Sequence, residues 1–408
     1  NKSTLKEWQT ALFIIYIKFI KSNKLEMSDS STTSDGFLKP GDTIKPCMSE
    51  SDVPQLLRQL YGLETETIKS LVSYDDLNFL VKVSPTSHNP HIRTVHPHGY
   101  VFKVLNSMDS QFPALVGGQN AMMLYLSERG YSCPVPQKTL TGEYMILHQL
   151  SPDDNQNSGK THIVRLLSFV PSKMLYHVPI TNSISYDAGR YLAEMQQQLQ
   201  GFSNDAVSSR QFIWMMSQTL EVRKFVHVIT DPEKSSNVST ALDNWQEIVV
   251  PLMDTLPKGS VHGDFNEQNI LVTAAEGTEN QPQPTYTVTG VIDFGDVSVS
   301  CYVFDLSIAV MAMLTMVNRT DLAASVIAGY CSRRPLLQEE WDVLWECVCG
   351  RLCVSLVMGA YSHSKDPGNS YLLTTSKVGW TALQSLLKEG KNSILQQWRT
   401  RAEAQAQE

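Results

Sequence analysis

The sequence predicts an α+β protein of two lobes: an N-terminal antiparallel sheet with one main helix, then a mostly helical C-terminal lobe. Three observations lead there. At 408 residues the chain exceeds what one hydrophobic core usually organises, so two lobes around a cleft are the economical arrangement. Between residues 67 and 170, short apolar stretches are divided by polar turns, the pattern of an antiparallel sheet. After "VPSKMLYHVPI" the apolar residues recur at helical spacing, and from Val303 onward the chain is nearly all helical.

Residues 1–50 are expected to form a disordered N-terminal extension. Ala11–Ile20, "ALFIIYIKFI", is apolar, but ten residues interrupted by Lys18 are too short to span a bilayer. No small-residue cleavage site follows, and the native start is expected at Met27, which opens the polar run "MSDSSTTSDG". Structure begins near 51, where "ESDVPQLLRQLYGL" puts Val53, Leu56, Leu57 and Leu60 on one helical face and Gly62 closes it. Strands are expected at 67–73, 79–83, 100–105, 144–150 and 163–170, with a helix over 114–129; together they make a first lobe of residues 51–170. In the second lobe, residues 171–395, helices are expected over 184–199, stopped by Gly201, and over 241–256, stopped by Pro257. Residues 269–273 and 285–292 form a hairpin joined by "AAEGTENQPQP", and 396–408 a polar C-terminal tail.

Hydrophobic residues at 42% and charged ones at 18% describe a soluble globular chain, and a net charge of −8 argues against nucleic acid as a partner. Seven cysteines without paired spacing point to a reducing compartment, hence the cytoplasm, rather than to a disulfide framework. Cys347, Cys349 and Cys353 share a helical pattern with no histidine nearby, which makes them core thiols. His88, His91, His96 and His98 fall in a loop broken by Pro and Gly, a poor frame for a metal.

The informative stretch is "VHGDFNEQNILV". His-Gly-Asp, then Asn five places after the Asp, stands directly before a strand, and a hairpin carries the chain on to "VIDFGD". Phosphoryl transfer needs such parts: alignment of a hydroxyl with the γ-phosphorus and cancellation of phosphate charge. Asp264 is placed to accept the hydroxyl's proton or hold that oxygen in line. Asn269 and Asp293 supply the hard oxygens that Mg2+ takes alongside phosphate. Gly263 lets the backbone turn, and His262 braces the loop. A rival, "DNQNSGKT", ends like a phosphate-binding loop but has Asp154 where the first glycine is required, and a carboxylate there repels phosphate.

The pair "VHGDFNEQNILV" and "GVIDFGDVSVSCYVFDLSIAVMAM" resembles the aminoglycoside phosphotransferase branch of the protein-kinase-like fold and, within it, the family that phosphorylates 5-hydroxy-L-lysine. The closer likeness runs through "LVSYDDLNFLV", "YVFKVLNS", "VRLLSFVPSK", "RLCVSLVMGAYS" and "KVGWTALQSLL", and covers most of residues 52–395. It implies transfer of the γ-phosphate of GTP, with Mg2+, to the side-chain hydroxyl of 5-hydroxy-L-lysine, giving 5-phosphohydroxylysine in lysine breakdown.

The resemblance also assigns residues. Lys103 matches the strand lysine that neutralises the α- and β-phosphates, and the turn with Ser73, Tyr74, Asp75, Asp76 and Asn78 stands where kinases have a glycine-rich loop, so side-chain contacts must partly replace backbone cradling of the phosphates. The strand 164–169, with Arg165, Leu166 and Leu167, matches the hinge whose backbone reads the base. Asp305 matches an acidic position that braces the loop from a helix start. The glutamate that usually fixes the strand lysine falls near Gly117, so Glu128 or Asp109 must substitute, or the lysine is held less well. A substrate with two ammonium groups and one carboxylate calls for acids and a cation, for which Asp296 and Arg351 are the candidates; for Arg351 an interhelical ion pair is the competing explanation. Two alternatives stay open: a choline- or aminoglycoside-type kinase, and a catalytically silent nucleotide-binding module.

Overall fold

The computed structural model describes residues 44–150, 160–278 and 281–405. Residues 1–43 of the extension expected over 1–50, the loop from Asp154 to Gly159 and part of the long hairpin tip lie outside the described residues; residues 44–50 are not a free tail, since the Ser107 N–H donates to the Ile44 carbonyl at 2.9 Å and Ser49 caps a short 3-10 turn that starts at Glu50.

Helix α1 (Val53–Tyr61) turns Val53, Leu56, Leu57 and Tyr61 inward and ends at Gly62, whose φ of 61° is the left-handed conformation a C-cap favours. Strands β1 (Leu63–Leu71), β2 (Leu77–Ser87) and β3 (Tyr100–Val104) follow, then α2 (Pro113–Ser127). Strands β4 (Pro136–Gln137), β5 (Ile146–Gln149) and β6 (Thr161–Ser168) complete an antiparallel sheet ordered β1-β2-β3-β6-β4, with β5 also on β6. Alternation along β3 decides what this lobe can do. Tyr100, Phe102 and Val104 enter the core with α1, Phe79, Val81, Val164 and Leu166. Lys103, opposite Asn78 in β2 and Arg165 in β6, is thereby left on the other face.

The second lobe is mostly helical, the expected class. In order it contains β7 (Lys173–Met174), α3 (Asn182–Leu199), α4 (Pro232–Asn244), β8 (Lys258–Val261), β9 (Ile270–Ala274), β10 (Tyr286–Val291) and β11 (Ser298–Cys301). Five long helices follow: α5 (Tyr302–Val317), α6 (Thr320–Cys331), α7 (Gln338–Lys365), α8 (Ser376–Glu389) and α9 (Lys391–Gln405). Helix α5 is buried nearly all round. Helix α7 is long and apolar enough to cross a membrane, yet 89% of its apolar window is buried inside the protein, which makes it a core helix. Its Cys347, Cys349 and Cys353 are free and buried, and no cluster of metal-ligating side chains occurs among the described residues.

Helices α3 and α6 cross backbone to backbone. A Cβ on Gly189 would stand 1.8 Å from the Val326 carbonyl oxygen, and one on Gly329 would stand 1.8 Å from that of Tyr186.

Three departures from the sequence reading have local causes. Helix α4 starts well before 241, because Asp231 accepts from the Glu233 and Lys234 N–H groups and Pro232 takes the first helical position. The chain then widens into a π turn over Trp245–Val249. Strand β8 pairs with β11, and β7 with β9, pairings that runs of four and two residues do not announce. The expected polar tail is the end of α9 as far as Gln405, where Ile394, Trp398 and Ala402, four apart, are buried.

Candidate active site

The loop between β8 and β9 is built on one glycine. Gly263 has φ 83°, and a Cβ there would stand 2.2 Å from the Asp296 carbonyl oxygen, so conformation and space both demand glycine. Its N–H donates to Asp305 Oδ1 at 3.0 Å, while Asp305 Oδ2 accepts from Gln196 Nε2 of α3 at 3.2 Å. Asp305, 1% exposed in the first turn of α5, has its carboxyl pKa raised by burial. Buried His262 donates from Nε2 to the Ile292 carbonyl at 3.0 Å and accepts the Asp264 N–H at Nδ1, 3.3 Å away. With both ring nitrogens engaged, the imidazole ties two loops together.

Asp264 is ringed by donors. Its Oδ1 accepts from Asn266 Nδ2 at 2.9 Å and from Arg351 Nη2 at 2.7 Å, and its Oδ2 accepts from Asn269 Nδ2 at 2.8 Å. Asn269 Nδ2 also donates to the Asp264 carbonyl at 2.9 Å, which leaves Asn269 Oδ1 for a cation. The Ile292 N–H donates to the Asn269 carbonyl at 2.9 Å and so sets Asp293 beside it. Asp293 has φ 60°; its side chain, 44% exposed, accepts from the Gly295 N–H at 3.2 Å and meets Lys103 Nζ at 3.3 Å. The Lys103 charge holds the Asp293 carboxyl below the ordinary carboxylate range. One carboxylate and one amide oxygen, beside a lysine, fit an oxygen-loving divalent cation such as Mg2+. Asp264, Asn269, Asp293, His262, Asp305 and Lys103 are thus joined in one network of contacts.

Lys103 is held differently from expectation. It is 7% exposed and pairs with Asp76 Oδ2 at 2.9 Å as well as with Asp293. Helix α2 sends it no acid. A Cβ added at Gly117 would have only Met145 Cε, at 3.9 Å, beside it, Gln119 donates to the Gly295 carbonyl at 3.0 Å, and Asn120 accepts from Arg165 Nη1 at 3.0 Å. Neither proposed substitute serves: Asp109 faces Arg210 at 3.6 Å and Asn106 at 2.9 Å, and Glu128 is exposed at the end of α2.

The turn between β1 and β2 also departs from expectation. The Ser73 hydroxyl donates to the Asp76 carbonyl inside the turn. The Tyr74 hydroxyl bonds the Met358 carbonyl at 2.9 Å and the Ser362 hydroxyl at 2.7 Å on α7, and its ring stands edge-on to Trp214. Ser73 braces the turn from within and Tyr74 seats it on the second lobe, so both hydroxyls are engaged inside the protein. Asn78, across from Lys103, keeps a buried Oδ1 without a partner among the described residues. Tyr74→Phe, which removes the latch, is expected to raise the nucleotide KM by about three- to tenfold; steady-state kinetics would check it.

Arg165, Leu166 and Leu167 stand mid-sheet, with β3 on one side and β4 or β5 on the other. Their backbone groups belong to strand ladders, and Arg165 is buried against Asn120, so the three are withdrawn from base recognition. The chain leaves the sheet after Ser168, which moves the inter-lobe connection to 169–172. An apolar strand run gives no sign of which of its residues have neighbours on both sides.

Around Asp264 lie further charges. Burial, then the Asp264 charge, pushes the Glu267 carboxyl up to about 7 and raises that of Asp296, against Arg210 and Arg351. Arg351, 4% exposed, also donates to the Trp214 carbonyl at 3.3 Å, and its Nε is buried without a partner among the described residues. Both candidate acceptor-binding residues are therefore beside Asp264. Glu267 went unrecognised although it lies inside the motif, Arg210 and Trp214 carry no sequence signal that marks them, and Asp76 was placed in the turn but not paired with Lys103.

Residues 84–344 match the profile described as the phosphotransferase enzyme family. Hydroxylysine kinase of Xenopus laevis is 34% identical over 362 residues, covering 87% of this chain and 94% of that protein. Among solved structures, a microcompartment-associated aminopropanol kinase aligns with a TM-score of 0.58 at 18% identity, covering 84% of this chain and 98% of that one. An amicoumacin kinase in complex with AMP-PNP, Ca2+ and Ami aligns with a TM-score of 0.56 at 14% identity, covering 81% and 94%. At these identities the two structures attest the fold. The chain belongs to the phosphotransferase enzyme family, and its reaction is phosphoryl transfer to an alcohol group.

Proposed function

We propose that the protein transfers the γ-phosphate of GTP to the hydroxyl of 5-hydroxy-L-lysine, giving 5-phosphohydroxylysine in the cytoplasmic breakdown of that amino acid. The charge around Asp264 carries this reading. Two further carboxyls, Glu267 and Asp296, and one arginine, Arg351, complement a molecule with two ammonium groups and one carboxylate. The name of the Xenopus laevis relative supports the same acceptor.

The acceptor oxygen attacks the γ-phosphorus and its proton passes to Asp264; the bond to the β–γ bridging oxygen breaks, and the nucleoside diphosphate departs. Three donors fix the direction of the Asp264 carboxylate, so orienting the hydroxyl is a large part of its work. Asn269 and Asp293 would hold Mg2+, which when bound cancels charge on the β- and γ-phosphates. Lys103 faces the remaining phosphate charge.

The test is a transfer assay with GTP or ATP and a panel of 5-hydroxy-L-lysine, its decarboxylated diamine, choline and 1-amino-2-propanol. Hydroxylysine with GTP is expected to turn over fastest, and chelation of Mg2+ to stop turnover. Faster choline or aminopropanol turnover would overturn the acceptor, ATP preference would overturn the donor, and nucleotide binding without any turnover would overturn the proposed reaction. Arg351→Met is expected to reduce the preference for the amino acid over the decarboxylated diamine by about tenfold or more. Taking that preference as a ratio of kcat/KM values removes the effect of Arg351 on Asp264 itself.

A further inference from the structure

We propose that Asp76, in the turn between β1 and β2, is the positioning residue for Lys103, so that seating the turn and fixing the lysine are one event. A buried ammonium needs a counter-charge, and Lys103 has two carboxylates within reach. Asp293 is the less suitable of the two. It stands 3.3 Å away rather than 2.9 Å, and its oxygens are the ones a divalent cation would claim. Asp76 is built for the task. Its Oδ1 accepts from the Asn106 N–H at 2.8 Å and from Asn106 Nδ2 at 3.1 Å, which aims Oδ2 at the lysine. The Ser73 hydroxyl caps the Asp76 carbonyl from within the turn. Arg165, directly across the strand pair, adds a second buried cation on this face and increases the need for an acid. Since Tyr74 ties the same turn to α7 and Asn369 Nδ2 donates to the Ser73 carbonyl at 3.4 Å, lifting the turn would strip Lys103 of its closest partner.

The inference rests on the reading that Lys103 meets the nucleotide phosphates, and the experiment separates the two. Binding of a fluorescent GTP analogue with Mg2+ is measured for Asp76→Asn, Lys103→Met and the double variant, with kcat, both KM values and melting temperature alongside. Asp76→Asn keeps the size of the side chain and an oxygen for Asn106. It is expected to weaken nucleotide binding by about tenfold and lower kcat, with the acceptor KM and melting temperature little changed. The double variant is expected to bind no worse than Lys103→Met alone, since a residue that acts through the lysine has nothing left to lose. Asp76→Glu, which retains the charge, is expected to recover most of the affinity and serves if the asparagine variant does not fold. Additive losses in the double variant, unchanged binding in Asp76→Asn, or a glutamate variant as weak as asparagine would each overturn the inference. Unchanged binding in Lys103→Met would overturn the lysine's own role and the inference with it.

Discussion

Replacing Asp264 with asparagine is expected to lower kcat by about 10²- to 10⁴-fold while nucleotide affinity stays within about threefold. The amide cannot take a proton, and its NH2 has nowhere favourable to point. Asn266, Arg351 and Asn269 all donate to the carboxylate, so either orientation of the amide sets a donor against a donor. Arg351, almost fully buried, also loses its one carboxylate partner among the described residues. The nucleotide side is spared, because Lys103 and Asp293 reach the cleft from β3 and from the loop after β10. Steady-state kinetics with nucleotide titration would check this, and a fully active asparagine variant would remove Asp264 from the chemistry.

Gly329→Ala is expected to destabilise the protein by about 3 kcal/mol or more, although alanine in an open helix would stabilise it by about 1 kcal/mol. The new Cβ meets the Tyr186 carbonyl oxygen, which belongs to a helix backbone and cannot swing aside. Helix α3, once displaced, carries Gln196 away from Asp305, and Asp305 is what holds the Gly263 N–H in the catalytic loop. Turnover should therefore fall along with the melting temperature, in a variant that touches no substrate. A melting curve unchanged within a degree would refute the crossing as a point of tight packing.

The catalytic loop was legible because its geometry is local. Five residues carry the chain from Asp264 to Asn269, and Gly263, with φ 83°, turns the chain just before them. Lys103 was matched through the family resemblance, and strand alternation accounts for the face it takes. Partners from distant elements were not legible. Arg351 reaches Asp264 from α7, and Asp76 replaces a helix acid that sequence reading sought at Glu128 or Asp109. Neither pairing follows from spacing, because each depends on how two elements pack. The start of α4 was obscured by its polar composition, and α9 by a buried stripe only one residue wide per turn.

The three cysteines of α7 give the protein an internal clock. Burial raises the thiols of Cys347, Cys349 and Cys353 above their ordinary range and shields them from reagent, so the reactive thiolate is disfavoured while the helix stays packed. Alkylation must wait for α7 to part from its neighbours. The same helix bears Arg351 and receives Tyr74. The rate of labelling therefore times the separation of the very rod against which both halves of the cleft are fastened.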